Sequence, residues 1–280
     1  MEDLRKRTRE ICRLFEISPD RSKGQNFLVN EKIYDDIVEA AEISSKDEVL
    51  EVGPGLGFMT VRLARLAKRV VAVELDREIF AYLQTGFSAS DNTKVELVNE
   101  DILRFNISDK LSGKYKIVAN LPYNITSIFL RTFLSLYKNA PESIVLMLQA
   151  EVVSRIVSQP PEMSVLAVSV QHYASAEVIR EVKAGNFWPE PKVDSAVIKI
   201  ILKKKKFNLA DDKLFFRLVK AGFSAKRKML KNNIAGGLQI EAPEILSAFK
   251  SSNISDQTRA ENLTMENWYN LFATLHKFML

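Results

Sequence analysis

Val49-Leu50-Glu51-Val52-Gly53-Pro54-Gly55-Leu56-Gly57 reads as a short buried strand that runs directly into a glycine-rich turn. Beyond that turn the chain keeps one rhythm. Phe58 to Lys68 has helical spacing, Val70-Val71-Ala72-Val73-Glu74 is a second apolar strand, and Glu78 to Phe87 is a second helix. Val95 to Val98 and Tyr115 to Ala119 are further strands, Ile128 to Tyr137 is helical, and Ser143 to Leu148 is another apolar strand. Upstream, Asn30 is placed to cap a helix on which Ile33, Ile37, Val38 and Ala41 recur on one face. Strands alternating with helices predict an α/β fold, a parallel sheet covered by helices on both faces.

The pattern then changes. Glu177 to Val182 and Ser195 to Leu202 read as two strands flanking the proline-rich Asn186-Phe187-Trp188-Pro189-Glu190-Pro191-Lys192, a hairpin-like end to the sheet. Lys203-Lys204-Lys205-Lys206 marks a domain boundary. Residues 1–204 form one domain, with 1–23 as an N-terminal extension, and 205–280 a small helical one with Leu214, Phe215, Leu218 and Val219 on one face. The extension, with Arg5, Lys6, Arg7 and Arg9, supports a helix and no assigned role.

Composition narrows the chemistry. The single Cys12 excludes an internal disulfide and a cysteine-based metal cluster. His172 and His276 are the only histidines, and neither has metal-site or triad spacing, so no metal is expected. No apolar run reaches the length of a membrane span, and Met1-Glu2-Asp3-Leu4-Arg5-Lys6 lacks an apolar signal core; a cytoplasmic protein without membrane contact is expected. The net charge of +5 is uneven: residues 203–280 carry 14 Lys and Arg against 7 Asp and Glu, whereas 1–202 carry 26 against 28. A polyanion partner fits this asymmetry; a merely solvated basic surface fits the charge alone equally well.

In an open parallel sheet, ligands bind beyond the carboxyl ends of the strands, where the Gly53–Gly57 turn and Glu74 both fall. Glycine lets the backbone approach a ligand, and an acidic residue about 20 positions on can accept from ribose hydroxyls. The glycines run G-x-G-x-G with Pro54 in the turn, not the G-x-G-x-x-G of a pyrophosphate cradle. S-adenosylmethionine, which has a ribose and no phosphate, suits the turn better than a dinucleotide. Asp101, after the next strand, is placed to accept from the cofactor's adenine amine or to be an ordinary loop carboxylate.

Asn120-Leu121-Pro122-Tyr123 follows the fourth strand, at the same edge. An adenine amine is a poor nucleophile because its lone pair is delocalised into the ring. Fixed acceptors for its N–H groups favour the pyramidal, nucleophilic form. The Asn120 side-chain carbonyl and the Leu121 backbone carbonyl can supply two, Pro122 fixes the local φ, and Tyr123 offers a face for the base. The bland alternative is a Pro-Tyr turn capping a strand.

On these residues the chain resembles the KsgA family of small-subunit ribosomal RNA adenine N6,N6-dimethyltransferases. The matches are Gly24-Gln25-Asn26-Phe27-Leu28, Glu51 to Gly57, Val73 to Asp76, Glu100-Asp101-Ile102, Asn120 to Thr126, Met147-Leu148-Gln149, Pro191 to Ser195, and Phe223 to Asn232. The resemblance implies a Rossmann-like class I methyltransferase sheet with helices on both faces, plus a small C-terminal helical RNA-binding domain. It implies that Gln25, Asn26 and Leu28 help hold S-adenosylmethionine and that Gly53, Gly55, Glu74, Leu75, Asp101, Ile102 and Asn120 complete that site. Asn120, Leu121, Pro122 and Tyr123 would be catalytic, with Phe187 packing on the other face of the target adenine or serving as a core aromatic. The implied products are two adjacent dimethyladenines in the 3′-terminal hairpin loop of small-subunit rRNA, made on the immature small ribosomal subunit by a monomer. Lys203, Lys204, Lys226, Arg227, Lys228 and Lys231 would contact rRNA phosphates. Three rivals remain: a resistance-type methyltransferase of large-subunit rRNA, a non-catalytic ribosome-assembly factor on the same fold, and a nucleotide-linked dehydrogenase, which the glycine spacing disfavours.

Overall fold

The computed structural model describes residues 3–20, 24–88, 93–111, 114–122, 124–136 and 138–279. In chain order the elements are α1 (Leu4–Leu14), β1 (Phe27–Leu28), α2 (Glu31–Ala41), β2 (Glu48–Val52), α3 (Phe58–Leu66), β3 (Arg69–Glu74), α4 (Arg77–Ser88) and β4 (Val95–Asn99). Then come β5 (Tyr115–Asn120), α5 (Thr126–Leu134), β6 (Ser143–Gln149), α6 (Ala150–Val157), α7 (Val165–Tyr173), β7 (Ala174–Val182), β8 (Phe187–Trp188) and β9 (Ser195–Leu202). The chain ends with α8 (Leu209–Gly222), α9 (Leu230–Leu238), α10 (Ala242–Ser251) and α11 (Met265–Leu275). No described helix is long and apolar enough to cross a membrane.

Two compact units form, one of Met1–Val153 with Ala176–Leu202 and one of Ser154–Ser175 with Lys203–Leu280. The first holds a seven-stranded sheet of order β4-β3-β2-β5-β6-β9-β7. β2 to β6 pair in parallel, and β9 enters antiparallel to β6. Parallel strands are covered on both faces and therefore read as continuous apolar runs. Val49, Leu50, Val70, Val71, Ile117, Val118, Ile144 and Leu146 are accordingly buried. The two strands expected to end the sheet are neighbours at its edge, as β9 and β7. Asn30 caps α2, its side chain accepting from the N–H groups of Lys32 and Ile33.

The structure differs from the expectations in three places. The helix expected over 128–137 is Thr126–Leu134. A two-stranded sheet joins Phe27 to Trp188 and Leu28 to Phe187, antiparallel, across segments given no strand from the sequence; two-residue strands carry no periodicity. Segment 154–175, read as part of the first domain, packs with the second, and the boundary expected after residue 204 falls after Leu202. The cause is α7, whose Ala167 and Val168 share one apolar cluster with Phe215 and Leu218 of α8 and Leu271 and Leu275 of α11.

Candidate active site

The register of the sheet builds the site. Val52 pairs with Val73 on one side and with Ala119 on the other, so Gly53 emerges between Glu74 and Asn120. β3 and β4 lie on one side of β2, β5 and β6 on the other, which makes β2/β5 the point where the chain reverses its winding. Open α/β sheets bind ligands at that point. Gly53, Gly55 and Gly57 all have positive φ, at 67°, 55° and 79°. The first two line a pocket of about 430 Å³ together with Gln25, Asn26, Phe27, Glu74, Leu75, Asp76, Asn120 and Pro122.

Glu74 is the anchor. Its Oε1 accepts from the Asp76 N–H at 2.8 Å and its Oε2 from the Gly55 N–H at 3.3 Å. Burial lifts its pKa to about 6, and those two N–H groups oppose the rise. Asp76 caps α4 through Oδ1, which accepts from the Glu78 and Ile79 N–H groups, while its Oδ2 accepts from the Gln25 amide at 3.1 Å. Gln25 thereby ties the N-terminal segment to the start of α4. Beneath the turn, Glu51 is buried inside β2 with no partner for Oε2, and burial followed by repulsion from Glu74 lifts its pKa to about 8.

Asn120 ends β5, and its Nδ2 donates to the Asn26 backbone carbonyl at 3.5 Å. With Nδ2 so engaged, Oδ1 is the atom left to accept. Leu121 is buried and donates its N–H to the Met147 carbonyl at 3.3 Å; among the described residues nothing donates to its own carbonyl. The Pro122 carbonyl accepts from the Ile125 N–H at 3.2 Å and leads the chain into α5. Two candidate acceptors thus belong to consecutive residues at one strand end, of which Asn120 lines the pocket and Leu121 does not. Tyr123 lies outside the described residues.

The pocket does not gather every expected residue. Leu28 and Phe187 are 2% and 1% exposed, paired across the small sheet and packed in the core, the place given by the core alternative for Phe187. Asp101 and Ile102 follow β4 at the same sheet edge but do not line the pocket, and Asp101 Oδ1 accepts from the Leu103 N–H. Conversely, Phe27, Asp76 and Glu51 were not singled out as site residues. An acid two positions beyond a strand-ending acid, followed by a helix, was the available signal for Asp76. Phe27 and Glu51 lie within the matched stretches Gly24–Leu28 and Glu51–Gly57, but their nearness to the turn depends on the sheet.

In the second unit, Lys203, Lys204, Lys226, Arg227 and Lys228 are exposed, whereas Lys231 pairs with Asp256 at 3.0 Å. Lys205 and Lys206 sit over the rings of Tyr173 and Tyr269, at 4.0 and 4.4 Å. Below them His172 Nε2 meets Asp212 Oδ1 at 2.9 Å, and Tyr173 donates to Asp212 Oδ2 at 2.8 Å. The tetralysine segment therefore begins as an exposed strand end and closes on a buried polar network.

The residues fit S-adenosylmethionine. A nearly buried carboxyl stands where a ribose would donate, two glycines without side chains open the floor of the pocket, and no phosphate cradle is built. Sheet order, the antiparallel β9 and this site define a class I S-adenosylmethionine-dependent methyltransferase. The chain belongs to the ribosomal RNA adenine dimethylase family, whose model matches residues 19–277. It is 38% identical over 271 residues to the ribosomal RNA small subunit methyltransferase A of Dehalococcoides mccartyi strain CBDB1, covering 96% of this chain and 92% of the relative. The protein of the same name from Clostridioides difficile strain 630 is 37% identical over 93% of this chain and 92% of its own length. Among solved structures, a dimethyladenosine transferase from Plasmodium falciparum matches with a TM-score of 0.78 at 25% identity, over 89% of this chain and 97% of that one. The 23S rRNA methyltransferase ErmE shares the fold, with a TM-score of 0.74 at 24% identity over 90% of this chain and 100% of that one.

Proposed function

We propose that the protein transfers methyl groups to the exocyclic amines of two adjacent adenines in the 3′-terminal hairpin loop of small-subunit rRNA. It acts as a monomer in the cytoplasm, on the immature small subunit. The observation that carries the chemistry is the place of Asn120, which ends β5, lines the same pocket as Glu74 and has its Nδ2 turned to the Asn26 carbonyl. When bound, S-adenosylmethionine supplies a methyl group already activated by its sulfonium. Gln25, Asn26, Gly53, Gly55, Glu74 and Leu75 hold the cofactor, with Glu74 accepting from the ribose hydroxyls. Asn120 and Leu121 accept from the two N–H bonds of the adenine amine, which keeps its lone pair out of the ring and in line. Pro122 sets the approach, and Tyr123 stacks on the base. No side chain is required as a general base before attack. The N–C bond would form as the methyl–sulfur bond breaks, its electron pair leaving with the sulfur as a neutral thioether; the amine, then cationic and acidic, would lose its proton to water.

A loop target suits this pocket because the base must leave its stack to enter. The exposed Lys203, Lys204, Lys226, Arg227 and Lys228, with Lys231, contact rRNA phosphates. The choice of small-subunit over large-subunit rRNA is supported by the two sequence relatives, since the fold is common to methyltransferases of both. Incubation with labelled cofactor and immature small subunits, followed by nucleoside mass analysis, should yield dimethyladenosine in small-subunit RNA. Asn120→Ala should abolish it. Label confined to large-subunit RNA, or a fully active Asn120→Ala variant, overturns this reading.

A further inference from the structure

Helix α1 lies before the family match, which begins at residue 19, and the proposed function gives it nothing to do. It docks on the first unit through Leu4, Thr8 and Cys12, buried at four-residue spacing on one face. One step round the helix, Arg5, Arg9 and Arg13 repeat that spacing, with Lys6 alongside. Of these, Lys6, Arg9 and Arg13 are exposed.

Three features of these cations bear on their role. Arg62, Arg69 and Arg180 are each paired with carboxylates: Glu31 and Asp35, Glu48 and Glu96, and Asp36. Among the described residues, no carboxylate pairs with Arg5, Arg7, Arg9 or Arg13, whereas Lys6 Nζ lies 4.0 Å from Glu10 Oε1. Three of these four guanidinium groups are nevertheless held in place. Arg5 donates to the Gly185 carbonyl, Arg7 lies over the Phe58 ring at 5.5 Å and Arg9 over the Trp188 ring at 5.8 Å. A guanidinium anchored over an aromatic ring does not spend its N–H groups on a carboxylate, and they stay available to phosphate oxygens. Finally, the arrangement works against the helix. The first turn contains no acid but has Arg5, Lys6 and Arg7 beside the positive end of the helix dipole, and the Arg5–Arg9–Arg13 row places like charges four apart. The N-cap Asp3, accepting from the Arg5 N–H at 3.0 Å, Glu10 beside Lys6, and the last-turn position of Arg13 offset part of this. A helix whose sole purpose was to cover the core would gain by replacing these cations.

The location supplies the partner. Trp188 and Gly185 belong to β8 and its entry turn; β8 pairs with β1, and Phe27 of β1 lines the cofactor pocket. We infer that the Arg5–Arg9–Arg13 face of α1, with Lys6, is an RNA-binding surface that grips the sugar-phosphate backbone of the substrate beside the active site. The inference rests on the rRNA-methyltransferase reading. It assigns part of the substrate grip to the methyltransferase unit, independently of the basic residues of the second unit.

The test compares the wild type with Lys6→Gln/Arg9→Gln/Arg13→Gln and with Arg9→Lys/Arg13→Lys. The first removes the charge; the second keeps it and controls for packing. Equilibrium binding to deproteinised small-subunit rRNA is measured from 50 to 200 mM salt, with cofactor affinity and dimethyladenosine formation on immature subunits in parallel. The glutamine variant is expected to bind the cofactor normally but to show a slope of log affinity against log salt shallower by about 2 to 3. Across that range, the wild type should lose roughly 15- to 40-fold more affinity than the variant. The lysine variant should keep the wild-type slope. Unchanged RNA affinity and slope in the glutamine variant overturn the inference while leaving the methyltransferase reading intact, as does a defect seen only on protein-containing subunits, where the partner is a protein. A wild type that methylates no small-subunit rRNA brings down the functional reading and this inference with it.

Discussion

The protonation state of Glu74 governs what its carboxyl can do. Ionised, it only accepts; protonated, it also donates, and one ribose contact is lost. Burial places its pKa at about 6, with the Asp76 and Gly55 N–H groups holding it from going higher. Cofactor affinity should therefore strengthen as pH rises through 6 and level off above about 7. At pH 5 it should be roughly tenfold weaker, one unit below the pKa. Calorimetric titration with S-adenosylmethionine from pH 5 to 8 measures this. Glu74→Gln should flatten the profile at reduced affinity, because the amide accepts at one oxygen only. A flat profile in the wild type would remove Glu74 from the ribose site. Of the expected site residues, Glu74 was the most legible in the sequence, since an acid closing the second strand needs only chain order to be placed. Leu28 and Phe187 were less so: one antiparallel pairing between remote segments carries both into the core.

At the scale of elements, two glycines act as spacers that helices and turns require. Gly57 precedes α3 at φ 79°, and a Cβ there would lie 2.9 Å from Leu83 Cδ2 of α4. Gly57→Ala adds left-handed backbone strain, roughly 1–2 kcal/mol, to that crowding. Gly222, the last residue of α8, leaves no room either, with Trp268 of α11 at 2.5 Å and Leu230 of α9 at 2.8 Å from a built Cβ. Gly222→Ala should cost about 1–3 kcal/mol by overpacking. Urea denaturation of both variants checks these values, and full stability in either would mean that the neighbouring element yields. The first glycine could be read from its turn. The second could not, because the crowding comes from a helix far along the chain. The missed α7 has the same cause: its apolar face is meaningful only once α8 and α11 are there to cover it.

For the whole molecule, buried titratable groups set the pH range of stability. Glu51 and Glu74 have pKa values raised from 4.5 to about 8 and about 6, so their contribution is fully present below 4.5 and is lost as pH rises through those values. His172 is shifted down, chiefly by burial and despite Asp212, so its contribution is present above 6.5 and is lost as pH falls. The cofactor-free protein should therefore have its highest Tm in mildly acidic solution and decline toward pH 8.5. Glu51→Gln should flatten the alkaline side. A scanning-calorimetry series that rises steadily from pH 6 to 8.5 in the wild type would contradict this account.

The sequence by itself determined the alternation of strands and helices, the glycine turn and the place of Asn120 at a strand end, because each arises from local apolar runs, glycines and strand ends taken in order. Tertiary structure alone decided the rest. It joined Phe27-Leu28 to Phe187-Trp188, moved 154–175 into the second unit, docked Lys205 and Lys206 on tyrosines, and laid the arginines of α1 against Trp188, Phe58 and the Gly185 carbonyl. The physical reason is range. Backbone propensity and periodicity act over a few residues, whereas pairing, burial and ring contacts depend on what the folded chain brings near.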